Sequence, residues 1–440
     1  MNPRGQAESL PETDQASSHG ELAPVFSTAP ARPRILWLLI AVLPLFGQTF
    51  HYIKALMPLW ALSKAWPILS LPLALHLMRH PRFPMSRQML LSFAWLLLLP
   101  SLAAMFYFHE GFFTSITAQV KLLPLLYFFS FLALLLILQP TLHELERGFL
   151  FWGAVVSAAL ILLAIVVPDS WYQGSYALNA QPFFSSDNRG HRMRMSMYFP
   201  IVMLFFCYRR AWFERSLRYL LGMLVAFAVT ALIVKTRAMI IGIVGVVALN
   251  SIVWARPRTR LLLLVLAPVA LAGIFSVGYL ATIFDTGADS GLEVKVITMQ
   301  LATGFLGDSP LRWLFGVGSI SPTSSDSLIA YFNHAFFLSD ITWLGIIFEY
   351  GICGALLWLF VELRGLAFYR RLRTKVEDDF LGALADYIIY VLLISPFYPL
   401  TLTPGETTVI LAIFVYVWHA GGLEHNDIDS RSPHAQAQTS

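Results

Sequence analysis

The chain has 440 residues, 57% of them apolar and 13% charged, with a net charge of +4. Soluble globular domains carry roughly 45–50% apolar residues, so this composition excludes one. Apolar runs of about 17–25 residues, long enough to cross a ~30 Å hydrocarbon layer, instead define a polytopic helical membrane protein.

Barrel strands would alternate polar and apolar residues over about ten positions, and the sequence has no such segments. Residues 1–31 are polar and rich in Ser, Pro, Glu and Ala, without a basic stretch running into an apolar core. A disordered cytoplasmic tail is expected there, and no cleavable signal peptide. About twelve spans follow, near 35–53, 56–78, 88–108, 120–139, 149–167, 195–208, 219–235, 238–254, 261–283, 341–363, 380–400 and 406–422. The fold class expected is an all-α bundle over 32–422, with a second polar tail at 423–440. Cys207 and Cys353 fall inside spans, so no disulfide and no metal-ligand spacing is read from them.

Orientation follows from retention of Lys and Arg on the cytoplasmic side. Arg32, Arg34, Arg79, Arg82, Arg87, Arg147, Arg209, Arg210, Arg256 and the Arg370–Lys375 group share one side, which places both termini in the cytoplasm. The positive balance reads as this bias rather than as a nucleic-acid surface. Lys54, Lys121, Arg189, Arg192, Arg194, Lys235, Arg237, Lys295 and Arg312 fall outside and break the bias. Lys54, Lys295 and Arg312 read as solvated or snorkelling side chains.

Two outward loops are long, from about Asp169 to Arg194 and from about Phe284 to Asp340. Packed helices offer no other outward polar surface, so function is expected on these loops. The first ends in Ser185-Ser186-Asp187-Asn188-Arg189-Gly190-His191-Arg192-Met193-Arg194, immediately before a span. Arginines there suit a diphosphate, because each guanidinium offers a two-pronged donor to phosphate oxygens; they equally suit an anchor on lipid headgroups. Arg192 and Arg194 lie nearest the span. A further arginine, in Val234-Lys235-Thr236-Arg237, sits on a tight turn between two spans. A cation buried at mid-helix costs about 2.5–3.5 kcal/mol, less near the interface, so Arg237 calls for a partner. Asp187, Glu293, Asp340 or a substrate phosphate could supply it.

In the second loop, Leu292 to Phe305 has the spacing of an amphipathic helix on the membrane surface, and Gly316-Val317-Gly318 reads as a flexible turn. Ser321 to Ser327 reads as mobile. His334 and Asp340 bracket an apolar step, and imidazole and carboxylate are the usual acceptors of a hydroxyl proton. Ser339-Asp340 also has the composition of an N-cap opening the tenth span. Glu349 would lie roughly 12–14 Å along that helix from its outer end, where a carboxylate is either a structural hydrogen-bonding group or part of a substrate cavity. Gly351 and Gly354, one turn apart, would let another helix approach.

An outward Arg before a span, a Thr-Arg at a tight outward turn, then a long outward loop with Gly-x-Gly, His and Ser-Asp leading into Glu-Tyr-Gly-Ile-x-Gly resembles the O-antigen ligase and Wzy-type polymerase superfamily over roughly residues 185–360. The ligases typically carry a His-Asn pair before the Gly-x-x-Gly; here Asp340-Ile341 occupies that place, which resembles the polymerase side. The resemblance implies a GT-C-like bundle in the inner membrane with a periplasmic active site. It implies metal-independent, inverting transfer of a glycan from undecaprenyl diphosphate to a sugar hydroxyl on another lipid-linked repeat unit, without a cofactor. Arg237, Arg192, Arg194 and Arg189 would hold the diphosphate, His334 or Asp340 would be the base, and Glu349 would contribute to the substrate site. Membrane lipid, a chain-length regulator and a flippase are the implied partners.

Three other classes are weighed. A ligase would deliver the finished chain to a lipid A core. A transporter or flippase fits the span count, but the chain shows no internal repeat, and charged residues are scarce in the early spans, Lys64 excepted. A glycosyltransferase using a polyprenyl monophosphate usually has paired acids in its first outward loop, and the loop at Tyr52 to Leu56 has none.

Overall fold

The computed structural model describes residues 32–51, 53–54, 56–79, 82–174, 183–187, 190–257, 260, 291–320, 328–332, 336–398 and 404–421. Residues 291–294, 329–330 and 340 are described by their backbone alone. The expected tails at 1–31 and 423–440, the ninth span at 261–283 and the Ser321 to Ser327 stretch lie outside the described residues.

The described residues are mostly helical. Their helices are α1 Pro33–Phe46, α2 Met57–Leu69, α3 Leu71–Met78, α4 Ser86–Phe108, α5 Phe112–Ala118, α6 Tyr127–Leu138 entered by a 3-10 segment Val120–Leu126, and α7 Leu142–Val166. There follow α8 Tyr198–Glu214, α9 Leu217–Ala228 continued by a π-helical turn Val229–Val234, α10 Arg237–Trp254, α11 Gly291–Leu306, α12 Pro310–Phe315 and α13 Leu328–Tyr331. The last three are α14 Thr342–Arg373, α15 Asp379–Ile394 and α16 Pro404–Ala420. Each expected span other than 261–283 contains a helix. Among the described residues, seven helical stretches are long and apolar enough to cross a membrane: Met57–Met78, Ser86–Phe108, Val120–Leu138, Leu142–Val166, Leu217–Val234, Arg237–Trp254 and Thr342–Arg373.

The other four, α1, α8, α15 and α16, have 14, 17, 16 and 17 residues. Helix α1 stops early because the chain turns at Gly47–Gln48, where Gln48 is left-handed at φ 53°. α16 is buried at every position from Pro404 to Trp418, so it is the interior post of the bundle rather than a lipid-facing wall. Large apolar side chains such as Leu91, Phe106, Ile165 and Leu232 are exposed on the outside, as a hydrocarbon solvent permits and water does not.

One end of the bundle is held by buried charge. Glu144 closes a capping box with Thr141 at the start of α7, and its carboxylate also accepts from the Arg32 backbone N–H at 2.6 Å and guanidinium at 3.1 Å. Arg209 near the end of α8 makes a bidentate pair with Asp386 of α15 at 2.6 and 2.9 Å, under the Trp254 ring. Arg210 reaches Asp379 at 2.9 Å. The arginines expected on one side, Arg32, Arg209 and Arg210, thus meet at one end, and the starts of α8 and α16 lie at the other.

At that other end α14 is broken. Gly351 has φ 69° and ψ 177° in the middle of the helix, which releases carbonyls upstream of it. The Gly316–Gly318 turn takes them up: Val317 N–H donates to the Phe348 carbonyl at 2.8 Å and Gly318 N–H to that of Glu349 at 3.1 Å. A Cβ on Gly351 would stand 2.1 Å from the Leu314 carbonyl oxygen, and one on Gly316 would stand 2.5 Å from the Gly351 nitrogen. The expected approach of another helix to Gly351 is present, and the partner is the end of α12 with its following turn. The turn is also fixed rather than flexible. Two other expectations change here. Arg312 is not simply solvated, since its guanidinium donates to the Phe305 carbonyl at 2.5 Å and lies over Tyr107. The N-cap of α14 is Ile341, without a side-chain cap bond, and Ser339–Asp340 belong to a preceding 3-10 turn, Leu338–Ile341.

The helix expected at Leu292 to Phe305 is present as α11. It buries Thr298, Ala302 and Leu306 against a small apolar cluster with Val317, Phe336, Ile341 and Phe348. Gly351→Ala should cost more than about 3 kcal/mol, because both the left-handed backbone and the contact with Leu314 are violated. Thermal unfolding in detergent should show a large fall in Tm or no folded protein; a wild-type Tm would contradict the interlock.

Candidate functional site

The stretch from Asp169 to Arg194, expected to be loop throughout, contains a small sheet. Strand β1 Gln173–Gly174 pairs parallel with β2 Phe184–Asp187, which pairs antiparallel with β3 Gly190–Met193, Ser185 opposite Arg192. Arg194 N–H donates to the Phe183 carbonyl at 2.9 Å, extending the ladder by one residue. Alternation along an extended chain then puts Arg192 and Arg194 on one face and His191 on the other. The Arg194 guanidinium donates to Ser185 Oγ at 3.3 Å, and Arg192 is buried. A crevice beside Arg192 is lined by Asp169, Tyr172, His191, Leu232 and Ile233. His191 lies 3.1 Å from the Asp169 carboxylate and stacks on Tyr172 at 4.3 Å. Burial, and then the Asp169 charge, push the Tyr172 phenol above its usual range.

Leu232 and Ile233 belong to the π-helical turn ending α9, so the hairpin rests on the connection that carries Arg237. Lys235 N–H donates to the Thr230 carbonyl at 2.9 Å, Lys235 itself is left-handed at φ 53°, and Arg237 opens α10. A left-handed non-glycine residue is a strained choice, held here by the π-helical bond. Its Nζ would lie 3.5 Å from a Cβ placed on Gly190. Four cations, Arg192, Arg194, Lys235 and Arg237, therefore come from two adjoining segments.

Below them is a cavity that the sequence reading misses. Met195, Ser196 and Tyr198 enter it from the hairpin side, Met239 from the Arg237 side, and Gln48, Tyr387, Tyr390, Tyr398 and Glu406 from the bundle. Glu406, in the first turn of α16, is 5% exposed; it accepts from Ser196 Oγ at 3.2 Å and from the Tyr387 hydroxyl. A carboxylate near a helix N-terminus is favoured by the unpaired N–H groups there. In the sequence Glu406 stands at the edge of the last span, where an acid reads as solvated. Its signal was the Pro404-Gly405 pair just before it, which starts the helix below the surface.

The remaining expected site residues divide. Arg189 and His334 lie outside the described residues. Asp340 is described by its backbone: its 3-10 turn is tied to the end of α15 through Thr342 Oγ1 to the Pro396 carbonyl at 3.1 Å and Trp343 Nε1 to Ser395 Oγ at 3.1 Å. That helix end also carries Ile394 and Tyr398 of the cavity. Glu349 does not line the cavity. It is buried and accepts from Lys121 Nζ at 2.5 and 2.6 Å, while Tyr350 beside it donates to Gln119 Oε1 at 2.9 Å. Lys121 is thus engaged by a carboxylate of its own chain, and of the two roles open to Glu349 the structural one has its partner in place.

No protein-family model matches the chain, and no curated protein is similar to it. Lys121→Met should destabilise the protein by leaving Glu349 buried without its cation, whereas Lys121→Met/Glu349→Gln should recover much of the loss, because breaking one side of a buried pair costs more than replacing both. Thermal unfolding of the two variants tests this; a double variant less stable than Lys121→Met would contradict a purely structural pair.

Proposed function

We propose that the protein is a glycosyltransferase of polyprenyl-diphosphate-linked glycans, a polymerase that transfers a glycan from undecaprenyl diphosphate to a sugar hydroxyl on a second lipid-linked repeat unit. The observation that carries this reading is the hairpin bearing Arg192 and Arg194 resting against the α9–α10 connection that bears Arg237, next to a polar cavity lined by Met195, Ser196 and Met239. A diphosphate leaving group accumulates charge on its oxygens as the glycosidic bond breaks, and guanidinium groups fixed in a partly dry site stabilise that charge. Arg192 and Arg194 share a strand face that fixes their spacing, and Arg237 stands on a helix start. Both mounts are tied by backbone hydrogen bonds, Arg194 N–H to Phe183 and Lys235 N–H to Thr230, which favours a preorganised anion site over a loose headgroup anchor.

In the reaction, the bond from the anomeric carbon to the diphosphate oxygen breaks as the acceptor hydroxyl oxygen attacks from the opposite face. The electron pair leaves with undecaprenyl diphosphate, and the hydroxyl proton goes to His334 or Asp340. Asp340 is supported by its turn, which is fastened to the cavity's own helix end. The bundle in this reading is GT-C-like and sits in the bacterial inner membrane, its termini cytoplasmic and its cationic end periplasmic. A flippase and a chain-length regulator would work beside it.

Arg237→Ala should abolish polymer formation while leaving insertion and folding intact, since the side chain is at the site and not in the core. Polymer from a deletion strain carrying the variant, resolved by length on a gel, checks this; normal length and yield would sink the proposal.

A further inference from the structure

The cavity beneath the arginines has a chemistry distinct from theirs. Its one described acid, Glu406, is buried and keeps both oxygens on neutral hydroxyl donors, Ser196 and Tyr387. Four tyrosines, Tyr198, Tyr387, Tyr390 and Tyr398, supply ring faces, and Gln48 adds an amide. The Tyr198 hydroxyl is the telling group: the residue is 1% exposed and lines the cavity, and its hydroxyl has no hydrogen-bond partner among the described residues. Leaving a buried hydroxyl unpaired is costly unless something that enters the cavity pairs with it.

We infer that this cavity is a sugar subsite, in which Glu406 accepts hydrogen bonds from ring hydroxyls, Tyr198 supplies a further hydroxyl contact, and the tyrosine rings pack against C–H faces. The ligand is a neutral, hydroxyl-rich sugar, belonging either to the acceptor repeat unit or to the donor residue next to its diphosphate. The inference rests on the glycosyl-transfer reading. Within it, the arginines take the charged part of the substrate and the cavity takes the uncharged part. A carboxyl group and aromatic faces suit that division, since carboxyl oxygens accept from sugar hydroxyls and ring faces pack against C–H groups. Ser196 connects the two halves, being two residues beyond Arg194 and hydrogen-bonded to Glu406.

The test uses full-length purified protein in detergent and lipid-linked oligosaccharide extracted from producing cells that lack this gene, together with the oligosaccharide released from it by mild acid. Binding of both is measured for wild type, Tyr198→Phe and Glu406→Gln, with undecaprenyl diphosphate bearing no sugar as control. Tyr198→Phe should leave Tm unchanged and weaken sugar binding about tenfold, the effect of one lost hydrogen bond. Glu406→Gln should weaken it roughly 10–100-fold, as for a bond to a charged group. Binding of the sugar-free lipid should stay as in wild type for both. Loss confined to the released oligosaccharide identifies the acceptor sugar, and loss confined to the lipid-linked form identifies the donor sugar. Wild-type sugar binding by Tyr198→Phe, which removes a single oxygen and keeps the fold, would overturn the subsite even where Glu406→Gln fails to fold. Cells that accumulate no lipid-linked oligosaccharide, or wild-type protein that binds none of the three ligands, would overturn the functional reading itself and the subsite with it.

Discussion

A bilayer leaves a chain no water with which to satisfy its backbone, and each unpaired group there costs several kcal/mol. Helix α14 is interrupted at Gly351 in spite of this, and the interruption is satisfied from outside the helix by Val317 and Gly318. That end of the bundle depends on the exchange. It fixes the end of α12 and so the small apolar cluster that α11 forms with Phe336 and Phe348. It also leaves Glu349 and Tyr350, the residues just before the break, directed at Lys121 and Gln119, a polar seam between α14 and the segment that enters α6.

Charge is sorted along the bundle with comparable economy. Of the buried acids described, Glu144 pairs with Arg32 and Asp386 with Arg209 at one end and Glu349 with Lys121 towards the other, while Glu362 has no ion pair among the described residues. At the other end, the cations of the hairpin and of the α9–α10 turn collect on one side, and the acid below them, Glu406, is satisfied by hydroxyls instead. A closed ion pair is a structural fastening. Around Glu406 the described donors are neutral hydroxyls rather than a cation, a setting that suits a polyhydroxylated ligand.

Much of the architecture was legible in the residues. Apolar length placed the helices, and the arginine pattern grouped Arg32, Arg209 and Arg210 before any contact was known. Arg192, Arg194 and Arg237 could be picked out because a cation at a span boundary is expensive without a purpose. Other features were not legible, for physical reasons. A helix lined by protein and one lined by lipid are equally apolar, so nothing in Pro404 to Trp418 marked α16 as the interior post. The break at Gly351 needs a left-handed glycine, but a glycine in an apolar helix reads equally as a packing notch. The hairpin at Phe184–Met193 lacks a long alternating pattern, being only four residues on each side. The cavity is assembled from α1, α8, α10, α15 and α16, and contacts of such separation leave no local trace. Glu349, singled out for its depth, turned out to face Lys121, a residue more than 200 positions away.

The account stands on the claim that the cationic end recognises a polyprenyl diphosphate. Its most direct test is the affinity of the purified protein for undecaprenyl diphosphate compared with undecaprenyl monophosphate, for wild type and for Arg192→Ala/Arg237→Ala, by mass spectrometry of the intact protein–lipid complex. The account predicts that wild type retains the diphosphate in preference to the monophosphate and that the double variant loses this preference while still retaining bulk phospholipid. Equal retention of the two lipids by wild type, or an undiminished preference in the double variant, would contradict it.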